Sequence, residues 1–83
     1  MKVKVKLFAT LRNYGPTNVE LGESFSVTFE ESVTVATLLE ILKIPRKEAK
    51  LILINGNNGG IENELIEGDT VAIFPPVGGG YSL

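Results

Sequence analysis

Residues 67–80 read EGDTVAIFPPVGGG, and the shape of this stretch organises everything upstream of it. Thr70 to Phe74 is predicted as a strand in which Val71 and Ile73 share one face while Ala72 and Phe74 share the other. Glu67-Gly68 signals a turn before it. Pro75-Pro76 ends it, because proline cannot donate to a β-ladder. Gly78, Gly79 and Gly80 then follow. Glycine loses the most backbone freedom on ordering and buries no side chain. The stretch is therefore either a frayed end or a place where a thin, extended backbone is needed.

Working back from it, KVKVKLF at the start alternates Val3, Val5 and Leu7 with Lys2, Lys4 and Lys6, which predicts a strand with one apolar and one basic face. SFSVTF repeats the alternation with Phe25, Val27 and Phe29. Turn signals at Gly15-Pro16 and Leu21-Gly22 make the two an antiparallel pair with a long connection. In TVATLLEILKIP the apolar positions Val35, Leu38, Leu39 and Leu42 are spaced i, i+3, i+4, i+7. That spacing predicts a helix of about three turns, capped by Thr34 and stopped by Pro45. RKEAK then reads as a surface turn or one short helical turn. LILI, 51–54, is a continuous apolar run, expected to be central in the sheet or buried on both sides. NGNNGG lacks the Gly-Lys-Ser/Thr of a phosphate loop and reads as a turn, followed by a short extended piece around Ile61. The order of elements is α+β: a mixed sheet of four to five strands with one main helix on one face.

Composition narrows the function. Eighty-three residues make one domain, expected to span 1–77 with a flexible Gly-rich tail at 78–83. Apolar content of 43% supports a folded core, and a net charge of −2 argues against a nucleic-acid binder. There is no apolar run of transmembrane length and no signal-peptide pattern, so the expectation is a soluble cytoplasmic protein with no membrane partner. With neither Cys nor His, the chain lacks thiol nucleophiles, imidazole bases and the usual zinc ligands. Glu62, Glu64, Glu67 and Asp69 are close in sequence and are read as solvated loop acids, since a domain this small can hardly form a substrate cleft around them.

VKLFATLRNY at 5–14, TVATLLEIL at 34–42, LINGN at 53–57 and EGDTVAIFPPVGGG at 67–80 stand in an order and spacing that resemble the β-grasp, ubiquitin-like sulfur carriers. The resemblance is strongest to the small (sulfur carrier) subunit of molybdopterin synthase, then to the thiamine-pathway carrier, with ubiquitin-like modifiers more distant. It covers nearly the whole chain. The resemblance implies a carrier that catalyses nothing and binds no cofactor itself. A partner adenylating (E1-like) enzyme would use ATP to activate the carboxyl of Gly80, which becomes a thiocarboxylate. Its sulfur would pass to a pterin precursor in the large subunit, in the biosynthesis of a molybdenum or tungsten cofactor.

By the same resemblance, Gly79 precedes the reactive residue, Gly78 belongs to the tail, and Pro75, Pro76 and Val77 form a stiff neck. The tail must thread narrow channels, where a Cβ would obstruct it. One departure stands out: Tyr81-Ser82-Leu83 follow Gly80, which locks its carbonyl in a peptide bond. Activation then requires a processing protease to remove these three residues. The alternatives are a protein modifier, or a non-catalytic β-grasp docking module with an unprocessed tail.

Parity makes one further expectation. If Val3, Val5, Leu7, Val71 and Ile73 face the helix, then Lys2, Lys4, Lys6, Phe8, Ala72 and Phe74 face away from it. Phe8 and Phe74 would form an exposed aromatic patch at the root of the tail, a docking surface that the lysines steer toward an acidic rim.

Overall fold

The computed structural model describes residues 1–20 and 22–76. The boundary expected between residues 77 and 78 lies outside the described residues. Five strands form one sheet: β1 (Lys2–Leu7), β2 (Phe25–Thr28), β3 (Leu51–Ile54), β4 (Asn57–Gly59) and β5 (Thr70–Phe74), in the order β2-β1-β5-β3-β4. The two strands furthest apart in sequence, β1 and β5, lie parallel in the middle, with Val5 opposite Val71 and Leu7 opposite Ile73. All other pairings are antiparallel. This is the mixed sheet expected, and the ubiquitin-like β-grasp arrangement.

One face of the sheet carries the core. Val3, Val5, Val71 and Ile73 are fully buried there, beneath Val35, Leu38 and Leu39 of the helix α1 (Val35–Leu42). As expected, Thr34 caps α1, its hydroxyl oxygen accepting from the amide of Thr37 at 3.4 Å. Two more of the free amides of the first turn are satisfied from outside the helix. Val35 donates to the carbonyl of Asn63 at 2.9 Å and Ala36 to that of Ile61 at 3.0 Å.

The helix is one turn shorter than its spacing predicts, with eight residues, and it closes before Pro45 is reached. Lys43 adopts a left-handed conformation, φ 63°. Its amide bonds back to Glu40 at 3.1 Å, and the amide of Ile44 to Leu39 at 2.9 Å. This paired closure is a Schellman motif. It turns the chain so that Ile44 is buried beside the helix end. Pro45 follows directly and disfavours helical geometry at Ile44, so the helix does not resume. Arg46–Glu48 forms a single 3₁₀ turn, matching the reading of RKEAK.

Three further expectations are corrected. β3 is second from the sheet edge, and only Ile52 is buried. Leu51 and Leu53 point to the face opposite α1, so the run is not covered on both sides. NGNNGG is only partly a turn. Asn55 (φ 53°) and Gly56 (φ 86°) supply the two positive φ angles of a two-residue hairpin, and Asn57–Gly59 returns as β4. Ile61 lies in a turn, and the extended contact comes later, as a bridge between Thr34 and Glu64.

The connection between β1 and β2 opens with a 3₁₀ segment, Ala9–Tyr14, that the sequence reading missed. It is anchored by Leu11, fully buried, and by a bond from the Leu11 amide to the carbonyl of Phe8 at 3.0 Å.

Candidate functional site

The face of the sheet opposite α1 is built by strict alternation. On β1 it presents Lys2, Lys4 and Lys6, then Phe8 just past the strand end; on β5 it presents Thr70, Ala72 and Phe74. The parallel register places Lys6 opposite Ala72, and the antiparallel register places Phe74 opposite Leu51 and Ala72 opposite Leu53. An apolar strip of Phe8, Phe74, Leu51, Ala72 and Leu53 therefore runs across β1, β5 and β3. It is flanked by Lys6, which is partly exposed, and by exposed Lys2 and Lys4.

The aromatic pair lies at the end of β5 from which the C-terminal residues leave. The rings of Phe8 and Phe74 stack with centroids 4.2 Å apart and planes 9° from parallel. Backbone bonds fix both residues. The Phe8 amide donates to the carbonyl of Ile73 at 3.3 Å, and the Lys50 amide to that of Phe74 at 2.9 Å. The rings are half-buried rather than fully exposed, because each covers a face of the other. Pro75 is half-buried and Pro76 exposed, directly beyond the pair. Val77, Gly78, Gly79 and Gly80, and the Tyr81-Ser82-Leu83 extension, lie outside the described residues. Leu51 and Leu53 were missed as surface residues because LILI shows no polar alternation. Only the register with β5 assigns them to the outer face.

Of the four acids read as solvated, Glu62, Glu64 and Glu67 are exposed, but Asp69 is only 7% exposed. Its Oδ1 accepts from Asn55 Nδ2 and its Oδ2 from the Ile66 amide, each at 2.8 Å. Asn55 Oδ1 in turn accepts from the Thr70 amide at 2.9 Å. The carboxylate is a structural clamp at the start of β5, not a loop acid.

Tyr14, packed against the margin of the core, links the two 3₁₀ segments. Its hydroxyl donates to Glu48 Oε1 at 3.2 Å. Burial, then the neighbouring Glu48 charge and this hydrogen bond, raise its pKa above the ordinary tyrosine value. On the α1 side of the sheet a groove of about 300 Å³ opens between the first 3₁₀ segment and residues 15–25, lined by Leu7, Phe25, Arg12, Glu20 and Glu23 among others. Among the described residues no group of three or more His, Cys, Asp or Glu is placed to hold a metal ion. No helix among them is long and apolar enough to cross a membrane.

Residues 1–78 match the Mut7-C ubiquitin family. The chain belongs to that family. Solved structures similar to this Mut7-C ubiquitin domain include the putative molybdopterin converting factor, subunit 1, from Pyrococcus furiosus, at 30% identity and a TM-score of 0.64 over 92% of this chain and 98% of that one. SAMP1 from Haloferax volcanii is similar at 23% identity and a TM-score of 0.68, over 96% of this chain and 100% of that one. Subunit 1 or 2 of the Helicobacter pylori molybdopterin-converting factor complex matches at 24% identity and a TM-score of 0.57, over 96% of this chain and 100% of that one. At these lower identities the likeness is one of fold. No curated protein sequence matches the domain.

Proposed function

We propose that this Mut7-C ubiquitin domain is a cytoplasmic sulfur carrier for molybdopterin biosynthesis, activated at Gly80 once Tyr81-Ser82-Leu83 have been removed by a protease. The observation that carries the reading is the stacked Phe8–Phe74 pair, set on the sheet face opposite α1 and followed in sequence by Pro75-Pro76, Val77 and the three glycines. The relation to the Pyrococcus furiosus protein supports it.

In this reading the chain catalyses nothing. Its outer-face strip docks on an adenylating enzyme and later on a molybdopterin converting factor large subunit. A carboxylate oxygen of Gly80 attacks the α-phosphorus of ATP and pyrophosphate leaves. A hydrosulfide ion, already at the sulfide oxidation level, then attacks the acyl carbon, the acyl–phosphate C–O bond breaks, AMP leaves, and loss of the S–H proton gives the thiocarboxylate. The attack needs a free carboxylate in reach of the phosphorus, which an amide with three further residues does not offer.

The test compares a chain ending at Gly80 with the 83-residue chain, each incubated with the adenylating enzyme of the same genome and ATP. AMP transfer to the shorter chain alone is expected. Equal transfer to both, or to neither, overturns the carrier reading. Intact mass spectrometry of the protein from its native cells should show chains ending at Gly80 as acid or thioacid. Adducts on other proteins would instead make it a modifier, and an unchanged Leu83 end a docking module.

A further inference from the structure

The sheet has two edges, and they are not alike. β4 is a three-residue strand of Asn and Gly. β2, at the other edge, pairs with β1 on one side only. The Phe29 amide donates to the Met1 carbonyl and the Met1 amino group to the Phe29 carbonyl, each at 2.7 Å. By the alternation of an antiparallel ladder, Val27, opposite Val3, and Phe25, opposite Val5, also turn their backbone groups toward β1. The amides and carbonyls of Ser26 and Thr28 therefore point away from the sheet, and among the described residues no strand pairs with them. Natural edges are blunted by lysine, proline or a bulge. SFSVTF, 24–29, has neither Lys nor Pro, and its register with β1 is unbroken.

The core layer is also unfinished here. Phe25 and Val27 face α1 yet are only half-buried, whereas their partners one strand inward, Val5 and Val3, are fully buried. Where β2 begins, Phe25 and Leu7 line the groove of about 300 Å³. One more strand would supply what both features lack: bonding partners for Ser26 and Thr28, and apolar side chains laid over Phe25 and Val27.

The charges around the edge select its occupant. Between Asn13 and Leu42 the chain has five carboxylates and no lysine or arginine. Four of them bracket β2, Glu20 and Glu23 before it and Glu30 and Glu31 after it, all exposed. Arg12 shares the groove with Glu20 and Glu23 and donates to the Val19 carbonyl at 3.2 Å. Lys2 and Lys4 stand one strand inward, opposite Thr28 and Ser26, on the face away from α1. A second copy paired β2 to β2 about a twofold axis lays its Glu20 and Glu23 beside the first copy's Glu30 and Glu31, and does so twice, which is repulsive. A segment with lysine or arginine just beyond each end of the ladder meets those carboxylates favourably. Its side chains on the outer face, near Lys2 and Lys4, must be neutral or acidic.

We propose that β2 is a strand-addition site for a partner protein of that chemistry. The occupant is an extended segment of about five residues, alternating apolar and non-basic polar side chains, with a cation at each end. It becomes a sixth strand, its apolar side chains turned toward α1 and one of them seated in the groove beside Phe25. The site stands apart from the carrier reading, because β2 lies on the far side of β1 from β5 and the tail.

The test is an NMR titration of the 83-residue chain with two synthetic peptides, acetyl-KVTVTVK-amide and acetyl-EVTVTVE-amide. The lysine-ended peptide should slow hydrogen exchange of the Ser26 and Thr28 amides about tenfold or more and leave the Val27 amide, already bonded to β1, unchanged. At about 0.01 M ionic strength it should bind about tenfold or more tightly than the glutamate-ended peptide, and at about 1 M the two should bind alike. Ser26→Pro removes an outward amide and no bond to β1, so it should abolish binding in a folded domain. Glu20→Gln/Glu23→Gln/Glu30→Gln/Glu31→Gln leaves the backbone alone and should abolish only the preference between peptides.

No binding of the lysine-ended peptide at about 1 mM, or shifts confined to Phe8, Leu51 and Phe74, overturns the inference and leaves the carrier reading untouched. Equal affinity for the two peptides at low salt also overturns it. A dimer seen by sedimentation and dissolved by Ser26→Pro would assign the edge to a second copy, with the same consequence. Failure of AMP transfer to the chain ending at Gly80 would remove the carrier reading without bearing on this edge.

Discussion

Asp69 and Asn55, fourteen residues apart in sequence, are joined side chain to side chain at 2.8 Å, and between them they bind the amides of Ile66 and Thr70. The pair fastens the entry of β5 to the hairpin that follows β3. Replacing Asp69 by Ala leaves the Ile66 amide and the Asn55 side chain short of an acceptor. Each hydrogen bond to a charged group contributes about 1.5–3 kcal/mol. Urea denaturation should show a loss of about 3 kcal/mol for Asp69→Ala. A loss under about 0.5 kcal/mol would restore the reading of Asp69 as a loop acid.

At the end of α1, Lys43 holds a left-handed conformation that costs an L-residue about 1–2 kcal/mol and costs glycine nothing sterically. Lys43→Gly should therefore stabilise the domain by about 0.5–1 kcal/mol after its larger unfolded-state entropy is subtracted. Lys43→Val should destabilise it, since a β-branched residue tolerates this region poorly. Thermal melts of the two variants that moved in the same direction would contradict the Schellman assignment.

Tyr14 makes a pH prediction whose sign follows from its raised pKa. The folded state holds the phenolic proton more tightly than the unfolded chain, whose tyrosine titrates near 10.0. The stability from this group is fully present below that pH and is lost as pH rises through the higher folded value. Stability measured against pH should fall more steeply above pH 10 in the parent than in Tyr14→Phe. Parallel curves would show that the contact with Glu48 carries no linkage.

Phe74→Ala separates docking from packing. Its ring is half-buried and stacked on a single partner, so its loss should cost about 1–2 kcal/mol of stability, below the roughly 3–5 kcal/mol of a core Phe→Ala change. Affinity for the adenylating enzyme should fall by about thirtyfold, the scale of an interface hot spot of about 2 kcal/mol. A stability loss of core size with unchanged affinity would make the ring a structural element only.

The parts legible in the sequence were those with a period. Alternation in KVKVKLF and TVAIF gave both the strands and the sidedness of Phe8 and Phe74, because parity survives any uncertainty about strand ends. What lacked a period was misread. β4 contains only Asn57, Asn58 and Gly59, with no apolar side chain to mark it, and it exists because the Asn55-Gly56 turn returns the chain alongside β3. LILI gives no clue to its two faces until paired with β5. The Ala9–Tyr14 segment is held by one buried leucine, too little for a pattern. The clamp role of Asp69 depends on Asn55, and long-range side-chain pairing leaves no local trace.

The parallel pairing of β1 with β5 gives the surface a meaning beyond adhesion. Phe8 comes from the start of the sequence and Phe74 from near its end, and they meet only after the intervening strands and helix have placed β1 and β5 side by side. A chain truncated, misthreaded or still emerging during synthesis has neither the pair nor the strip around it. An enzyme that must grip this pair before reaching the glycines would spend its ATP only on finished molecules, so that the recognition surface doubles as an inspection of folding.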